Sequence, residues 1–519
     1  MLAIAGSAVL LGITSSPVRV EVQAERGIPS FELVGLAETA VRESRVRVKS
    51  ALAGVGVDIS ECRVTVNLAP ADVKKSGSSF DLAIALGTLV ALGVLPSEVL
   101  VGTLLLGELS LNGAVQSLRG VVAHLLAAKA RGVVRAIVPQ ANEREAALVE
   151  GIDVEIATTL GQLVEALGGG AALPRPRAQD GDIARAPGDD LTDVRGQHAA
   201  RRALEIAASG GHNLLMMGPP GSGKTMLARR VPGILPPLSR EEALEVIAIH
   251  GAAGLSRSSS QPFVERPFRA PHHTASDVAL IGGGEHVRPG EVSLAHHGVL
   301  FLDEISELRR AALEALRQPL EDGVVTVCRM RTTITFPARP MLVAATNPCP
   351  CGNHGDGTAR CTCGIEAIRA YRRRLSGPLL DRLDVHVVLP RVDLRDLQAP
   401  SAGEPSATVR ARVERARAMQ RGRFASGEVS VPTNAHLTTR DVERVCAIDA
   451  KGRDILAQAV ERRGLSARAY GKALRVARTL ADMVGATAIA PGHVMEAVHM
   501  RVLDRDPSNG RSLGANDAA

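Results

Sequence analysis

The chain has 519 residues but no tryptophan, only two tyrosines and seven phenylalanines. Binders of single-stranded nucleic acid that stack bases on aromatic rings need more rings than this. Any grip on such a ligand must come from Arg and Lys on its phosphates, with strong salt dependence and little sequence preference. With 45% hydrophobic and 2% aromatic residues, the cores must be aliphatic. The seven cysteines, four of them clustered, do not form the dispersed pattern of a secreted disulfide scaffold. No apolar run reaches the roughly 20 residues of a membrane span. The apolar N-terminus MLAIAGSAVLLGITSS has no Lys or Arg ahead of it and runs into the alternating VRVEVQ, the pattern of a first strand rather than a secretory signal. The expected location is cytoplasmic, with no membrane partner.

The length corresponds to about two to four domains. Net charge is +6, and from Ser401 onward there are 19 Lys and Arg against 13 Asp and Glu, leaving 42 of each before it. The basic excess therefore lies in the C-terminal region, which fits either an anionic partner or a solvated Arg-rich helical surface. Residues 1–168 mix strand-like runs (VRVEVQ, CRVTVNLA, DVEIA) with helical ones (DLAIALGTLVALGVL), an α/β pattern. Residues 169–190 break every periodicity and read as a linker. Residues 191–395 alternate strands and helices again, 396–407 form a second linker, 408–505 are helical, and 506–519 read as a disordered tail.

The strongest motif is GPPGSGKT, Gly218, Pro219, Pro220, Gly221, Ser222, Gly223, Lys224 and Thr225, between the apolar NLLMM and a helix-forming run. This is the strand–loop–helix context of a P-loop. Its backbone N–H groups curl around phosphate oxygens, and the helix N-terminus faces the same anion. Lys224 is then placed to reach the terminal phosphates of ATP, and Thr225 to ligate Mg²⁺. A second apolar run, GVLFLDEI, ends in Asp303 and Glu304. Asp303 suits Mg²⁺ held through water, and Glu304 suits polarisation of the attacking water. A third run, MLVAAT, ends at Asn347, whose amide can orient that water.

These motifs resemble the AAA+ ATPases. RAPHHTAS, GEVSLAHHGVLFLDE, TFPARPMLVAATNPCPCG and LLDRLDVHV, with the N-terminal SFELVGLAETAVRESRVRVKSAL, are similar to the magnesium-chelatase-like ComM/YifB family over nearly the whole chain. The resemblance implies a P-loop AAA+ core with a parallel sheet, a C-terminal helical lid, and a homo-hexameric ring. It also implies an arginine finger at Arg382 in LLDRLD and a second sensor at Arg468 in LSARAY, with Arg475 a weaker candidate for the latter. A finger supplied in trans requires an oligomer. The function implied is DNA branch migration or helicase action, as in natural transformation and recombination. The alternatives are a chelatase-type motor that remodels a partner protein and an ATP-dependent protease.

GELSLNGAVQSLRGVVAHLLAAKARGVVRAIVPQAN and KSGSSFDLAIALG resemble the proteolytic domain of Lon, an α/β fold shared with ribosomal protein S5. Lon-like proteases pair a serine with a lysine base. The resemblance puts the serine on Ser79 but the lysine on Val122, so the N-terminal domain is expected not to cut peptides. GVVTVCRMRTTITFPA reads as a hairpin. In related ring motors such a hairpin points into the pore, where Arg329 and Arg331 would meet DNA phosphates; a cross-strand charge cluster is the alternative. The pairs His272-His273 and His296-His297 lack metal-ligand spacing. Adjacent residues are expected to point apart, so these histidines are read as satisfied by hydrogen bonds.

Cys349, Cys351, Cys361 and Cys363 form two C-x-C pairs directly after Asn347, a donor set suited to a closed structural Zn²⁺ site. Reduced, unliganded thiols are the alternative. The remaining Cys62, Cys328 and Cys446 are expected to be buried apolar residues.

Overall fold

The computed structural model describes residues 1–36, 38–75, 77–177, 189–255, 265–284, 287–329, 332–375, 377–392, 403–463 and 465–504. They fall into two compact units, one of residues 1–184 and 240–263, the other of 185–239 and 264–519.

The first unit is built on a seven-stranded sheet. Its strands are β1 (Leu2–Leu11), β2 (Thr14–Arg26), β3 (Ser30–Val34), β4 (Cys62–Ala69), β5 (Thr103–Leu105), β6 (Arg135–Pro139) and β7 (Asp153–Ala157), in the order β3-β4-β2-β1-β5-β6-β7. Alternation sets the buried face: Val18, Val20, Val22 and Ala24 of β2 point inward, while Arg19, Gln23 and Glu25 are exposed. Helix α1 (Asp81–Ala91) is buried on every side. Its Asp81 holds Ser44 and Arg47 within that core. The apolar N-terminus is strand β1, paired antiparallel with β2. The described part of the expected linker is not loose, since Leu173 is buried and the Pro174 carbonyl accepts from Ile156 N.

The helix Arg240–Ala253, expected within the second block, clusters instead with the first unit. Its Ile247 and Ala248 join a core with Ala8, Leu104 and Val121, and Arg240 pairs with Glu150. Gly251 lies against Gly120, at the start of helix α2 (Val121–Ala130), where a Cβ would come within 3.3 Å of the Gly120 backbone. Sequence order does not reveal this, because the apolar residues of the helix fit any aliphatic surface.

The second unit contains a wholly parallel five-stranded sheet. Its strands are β8 (Leu214–Met217), followed by helix α3 (Lys224–Ile234), then β9 (Phe268–Arg269), β10 (Val299–Leu302), β13 (Met341–Thr346) and β14 (Val385–Val388), in the order β9-β10-β13-β8-β14. β11 (Val324–Arg329) and β12 (Thr332–Pro337) form a separate antiparallel hairpin between β10 and β13 in sequence. Strands β8, β10 and β13 are buried along their whole length, as parallel strands covered on both faces must be. After helix α4 (Ile365–Arg372) and β14, the chain ends in helices α5 (Ser406–Ala425), α6 (Ala450–Arg463), α7 (Ala467–Met483) and α8 (Pro491–His499). Val409, Val413, Ala416 and Gln420 of α5 fall at helical spacing on its buried face. The architecture is therefore mixed α/β with a C-terminal helical region.

One cysteine departs from expectation. Cys446 is buried and Cys62 half-buried, but Cys328 is exposed, because among the described residues its hairpin is a two-stranded sheet with no further strand beside it.

Candidate nucleotide site and cysteine cluster

Sheet register brings the three motif strands to one edge. Met217 pairs with Thr346 and Leu302 with Ala344, so Gly218, Asp303 and Asn347 leave the sheet together at its C-terminal side. In open α/β sheets that edge is where ligands bind. The loop after β8 has no space for a side chain at Gly218, where a Cβ would come within 2.7 Å of the Leu389 carbonyl. Gly223, at φ 89°, turns the chain into α3. Lys224 opens that helix and folds its amine onto the Gly218 carbonyl at 2.7 Å, the Pro219 carbonyl at 3.0 Å and Asn347 Oδ1 at 3.2 Å. Burial pushes the Lys224 amine below the ordinary lysine range, with the charges of Asp303 and Glu304 working against it. Thr225 Oγ1 donates to Asp303 Oδ2 at 2.8 Å, so the two groups suited to Mg²⁺ already face each other.

Glu304 has φ 48°, in the left-handed region, and its N–H donates to Asp303 Oδ1 at 2.9 Å. Beside it lies a cavity of about 240 Å³ lined by Thr225, Arg229, His272, His273, Asp303 and Glu304, with Phe268 and Phe301 stacked in its wall. His273 Nδ1 lies 3.6 Å from Glu304 Oε2. The expectation that adjacent histidines point apart is corrected here. The rings of His272 and His273 lie 4.1 Å centroid to centroid, and those of His296 and His297 3.9 Å, because both pairs sit in loops rather than strands. His272 Nδ1 is hydrogen-bonded to Thr274 Oγ1 at 2.8 Å, and buried His296 accepts from the Arg339 N–H at 3.0 Å. Sequence reasoning missed His273 and Arg229. The doubled histidine itself was the available signal, but ligand spacing was the wrong test for it.

Arg382 is buried and turned into its own chain. Its guanidinium pairs with Glu321 at 2.5 Å and donates to the Arg317 and Pro378 carbonyls. Arg468 is exposed in the first turn of α7 and, among the described residues, has no hydrogen-bond partner. Arg475 is committed to the Leu437 carbonyl at 2.7 and 2.9 Å, which leaves Arg468 the more available of the two. The α7 end and the Arg382 loop meet where Ser466 Oγ donates to Asp381. Asp384 was also missed. It accepts from Asn213 N at 2.9 Å, just before β8, and pairs with Lys472 of α7 at 2.5 Å. Burial would raise the Asp384 carboxyl, but Lys472 and His212 hold it well below the usual carboxylate range.

The four clustered cysteines converge. Their sulfurs all lie within 4.8 Å of one another, at 3.4 Å for Cys349–Cys351, 3.9 Å for Cys349–Cys361 and 3.7 Å for Cys351–Cys361. Four sulfurs about 2.3 Å from one zinc are about 3.8 Å apart in a tetrahedron, so the donor set fits that ion. Backbone N–H groups of Asn353 and Thr362 pull the Cys351 thiol down to about 6, while the neighbouring thiols push Cys361 up and Cys363 up to about 11, so one thiolate is favoured and its neighbours hold their protons until a cation replaces them. Arg329 ends β11 opposite Thr332, and Arg331 lies outside the described residues. In the first unit the Ser79 hydroxyl donates to the Ala8 carbonyl at 3.1 Å, and Val122 is buried in α2.

Family models agree with this layout. Magnesium chelatase, subunit ChlI, matches residues 190–397; subunit ChlI of Mg-chelatase matches 20–142; and the magnesium chelatase subunit ChlI C-terminal model matches 403–501. The chain is 43% identical over 496 residues to the uncharacterized protein YifB of Escherichia coli strain K12, covering 95% of this chain and 96% of that protein. It is 42% identical over 509 residues to the competence protein ComM of Haemophilus influenzae, covering 97% and 98%. The magnesium-chelatase 67 kDa subunit of Chlorobaculum parvum is 29% identical over 167 residues, 30% of this chain and 23% of that protein. Matches of this length and identity, on a parallel sheet that ends in a P-loop and an Asp-Glu pair, make the chain a member of the magnesium-chelatase-like ComM/YifB family of AAA+ ATPases.

Proposed function

We propose that the protein is an ATP-hydrolysing ring motor that acts on DNA, in branch migration or unwinding. The observation that carries the ATPase part is the Thr225–Asp303 contact at 2.8 Å, with Glu304 and Asn347 at the same sheet edge. In this reading Lys224 binds the terminal phosphates, Thr225 and Asp303 hold Mg²⁺, Glu304 polarises water and Asn347 orients it. Arg382 acts on the neighbouring subunit's nucleotide and Arg468 senses it from the lid. When bound, Mg²⁺ neutralises phosphate charge. The DNA part is supported by full-length similarity to a protein named for competence and by Arg329 at the end of β11, with Arg331 two residues on in sequence. It is also supported by exposed Arg415, Arg421, Arg440 and Arg468, which make no ion pair among the described residues.

The competing reading is a chelatase-type motor acting on a partner protein. It is favoured by the internal use of much of the lid's charge. Arg412 is spent on Glu404 and Glu205, Arg423 and Arg478 on Asp482, and Arg501 on Asp504. ATP turnover measured without DNA and with single-stranded, duplex and branched DNA separates the two. Stimulation that weakens steeply with salt supports the DNA motor. Absence of both binding and stimulation at low salt overturns it.

The four cysteines would hold Zn²⁺ as a closed structural site, tying the exit of β13 to the start of α4. Elemental analysis of purified protein is expected to give about one zinc per chain, and folded protein without metal would contradict this.

A further inference from the structure

The cysteine cluster touches the phosphate loop itself. Gly352, one residue after Cys351, has φ 82° and sits against Pro220. A Cβ on Gly352 would stand 2.6 Å from Pro220 Cδ and 2.8 Å from its Cγ, closer than real Cβ atoms approach. The turn that presents Gly352 is closed by its N–H to the Cys349 carbonyl at 3.0 Å, and Cys349 is fully buried. Two residues before Cys349, Asn347 contacts Lys224 at 3.2 Å. The Pro348 carbonyl accepts from Arg372 Nε at 3.2 Å, which anchors the loop to α4. The thiol cluster is thus braced on one side by α4 and bears on the phosphate loop at two points.

We propose that the cysteine loop is a strut for the phosphate loop. Gly352 seats Pro220, so the state of the four thiols, metal-closed or open, sets the affinity for nucleotide. The proposal rests on the reading of Gly218–Thr225 as the nucleotide site. A P-loop binds phosphate through backbone N–H groups, and those groups point correctly only if the loop is held in shape. Pro220 offers a rigid ring with a fixed φ, a suitable bearing surface. Gly352 is the one residue type that permits both its left-handed turn and contact at this distance. On this account Gly352 is a positioning residue that never touches the ligand.

The test is titration of the full-length protein with ADP and Mg²⁺, with zinc content measured on the same samples. Gly352→Ala is expected to weaken ADP binding about tenfold or more while zinc content is unchanged. Pro220→Ala, which removes the atoms that Cβ would strike, is expected to restore most of the loss in the double variant. Non-additivity of this kind marks direct contact. The left-handed strain of an alanine at 352 is not relieved by Pro220→Ala, so a general folding defect would show no rescue. Chelation of zinc from wild-type protein is expected to weaken ADP binding to a similar extent. Wild-type affinity in Gly352→Ala, absence of rescue, or unchanged affinity after metal removal overturns the strut. Failure of wild-type protein to bind ADP would instead overturn the nucleotide site on which it rests.

Discussion

Glu304 occupies a backbone conformation that non-glycine residues seldom adopt, at a cost of about 1–3 kcal/mol. Such strain persists where surrounding contacts hold it, and here they do. Its own N–H is tied to Asp303, and its carboxylate faces His273. His273 is itself steadied by the His272 ring, which Thr274 anchors. Both His273 and Glu304 are partly exposed, so their pairing adds little stability; on the proposed function it would instead aim the carboxylate. Glu304→Gln is expected to lower kcat about a hundredfold or more with ADP affinity retained. His273→Ala should lower kcat about tenfold with KM for ATP unchanged, and His273→Asn, which keeps a donor, should recover much of it. Steady-state kinetics on the three variants checks this, and an unchanged kcat in His273→Ala would assign the histidine no part. The place of Glu304 at the sheet edge was legible because an Asp-Glu pair follows an apolar strand. His273 was not, because its meaning depends on a neighbouring strand 31 residues away in sequence.

At the scale of elements, regular strands and helices followed from periodicity, while their partners did not. Helix α2 reads from its sequence as an apolar helix, but only packing shows that it buries His124. His124 Nδ1 lies 2.7 Å from Ser15 Oγ of β2, 109 residues away. Burial, helped by the charge of Arg131, pushes His124 down to about 4. Its unfolded value is about 6.5. As pH falls through that range the unfolded chain takes up a proton that the folded chain refuses. Stability is therefore complete above about pH 6.5 and is lost progressively toward pH 4, by up to about 3 kcal/mol. His124→Gln, which cannot titrate, should unfold with a shallower dependence of Tm on pH between 7 and 4.5. The dependence will not vanish, since buried His212 and His386 are shifted in the same direction. Equal slopes in the variant and wild type would refute the assignment.

For the whole molecule, the ring proposal turns on Arg382. In the single chain its guanidinium is satisfied by Glu321 and two carbonyls. To act on a neighbour's phosphate it must leave Glu321, an exchange of one anion for another. Arg382→Ala is expected to bind ADP normally and to hydrolyse ATP about a thousandfold more slowly. Mixed with Lys224→Ala protein, which keeps its Arg382 but lacks the amine proposed to bind phosphate, it should regain part of the activity, because on this proposal each variant supplies what the other lacks. ATPase assays across mixing ratios test this, and no recovery at any ratio would exclude action in trans.

Sequence by itself determined the strand–loop–helix at Gly218–Thr225, the Asp-Glu pair, the cysteine spacing and the family. The first three are local patterns, fixed by residues within about fifteen positions of one another, and the family follows from many such patterns in order along the chain. Tertiary structure alone decided that helix Arg240–Ala253 joins the first unit, that Lys472 pairs with Asp384, that Arg382 is held by Glu321, and that Gly352 bears on Pro220. Those contacts join residues from 61 to 132 positions apart or elements with no shared periodicity. They arise when apolar faces close and the polar groups carried with them must find partners.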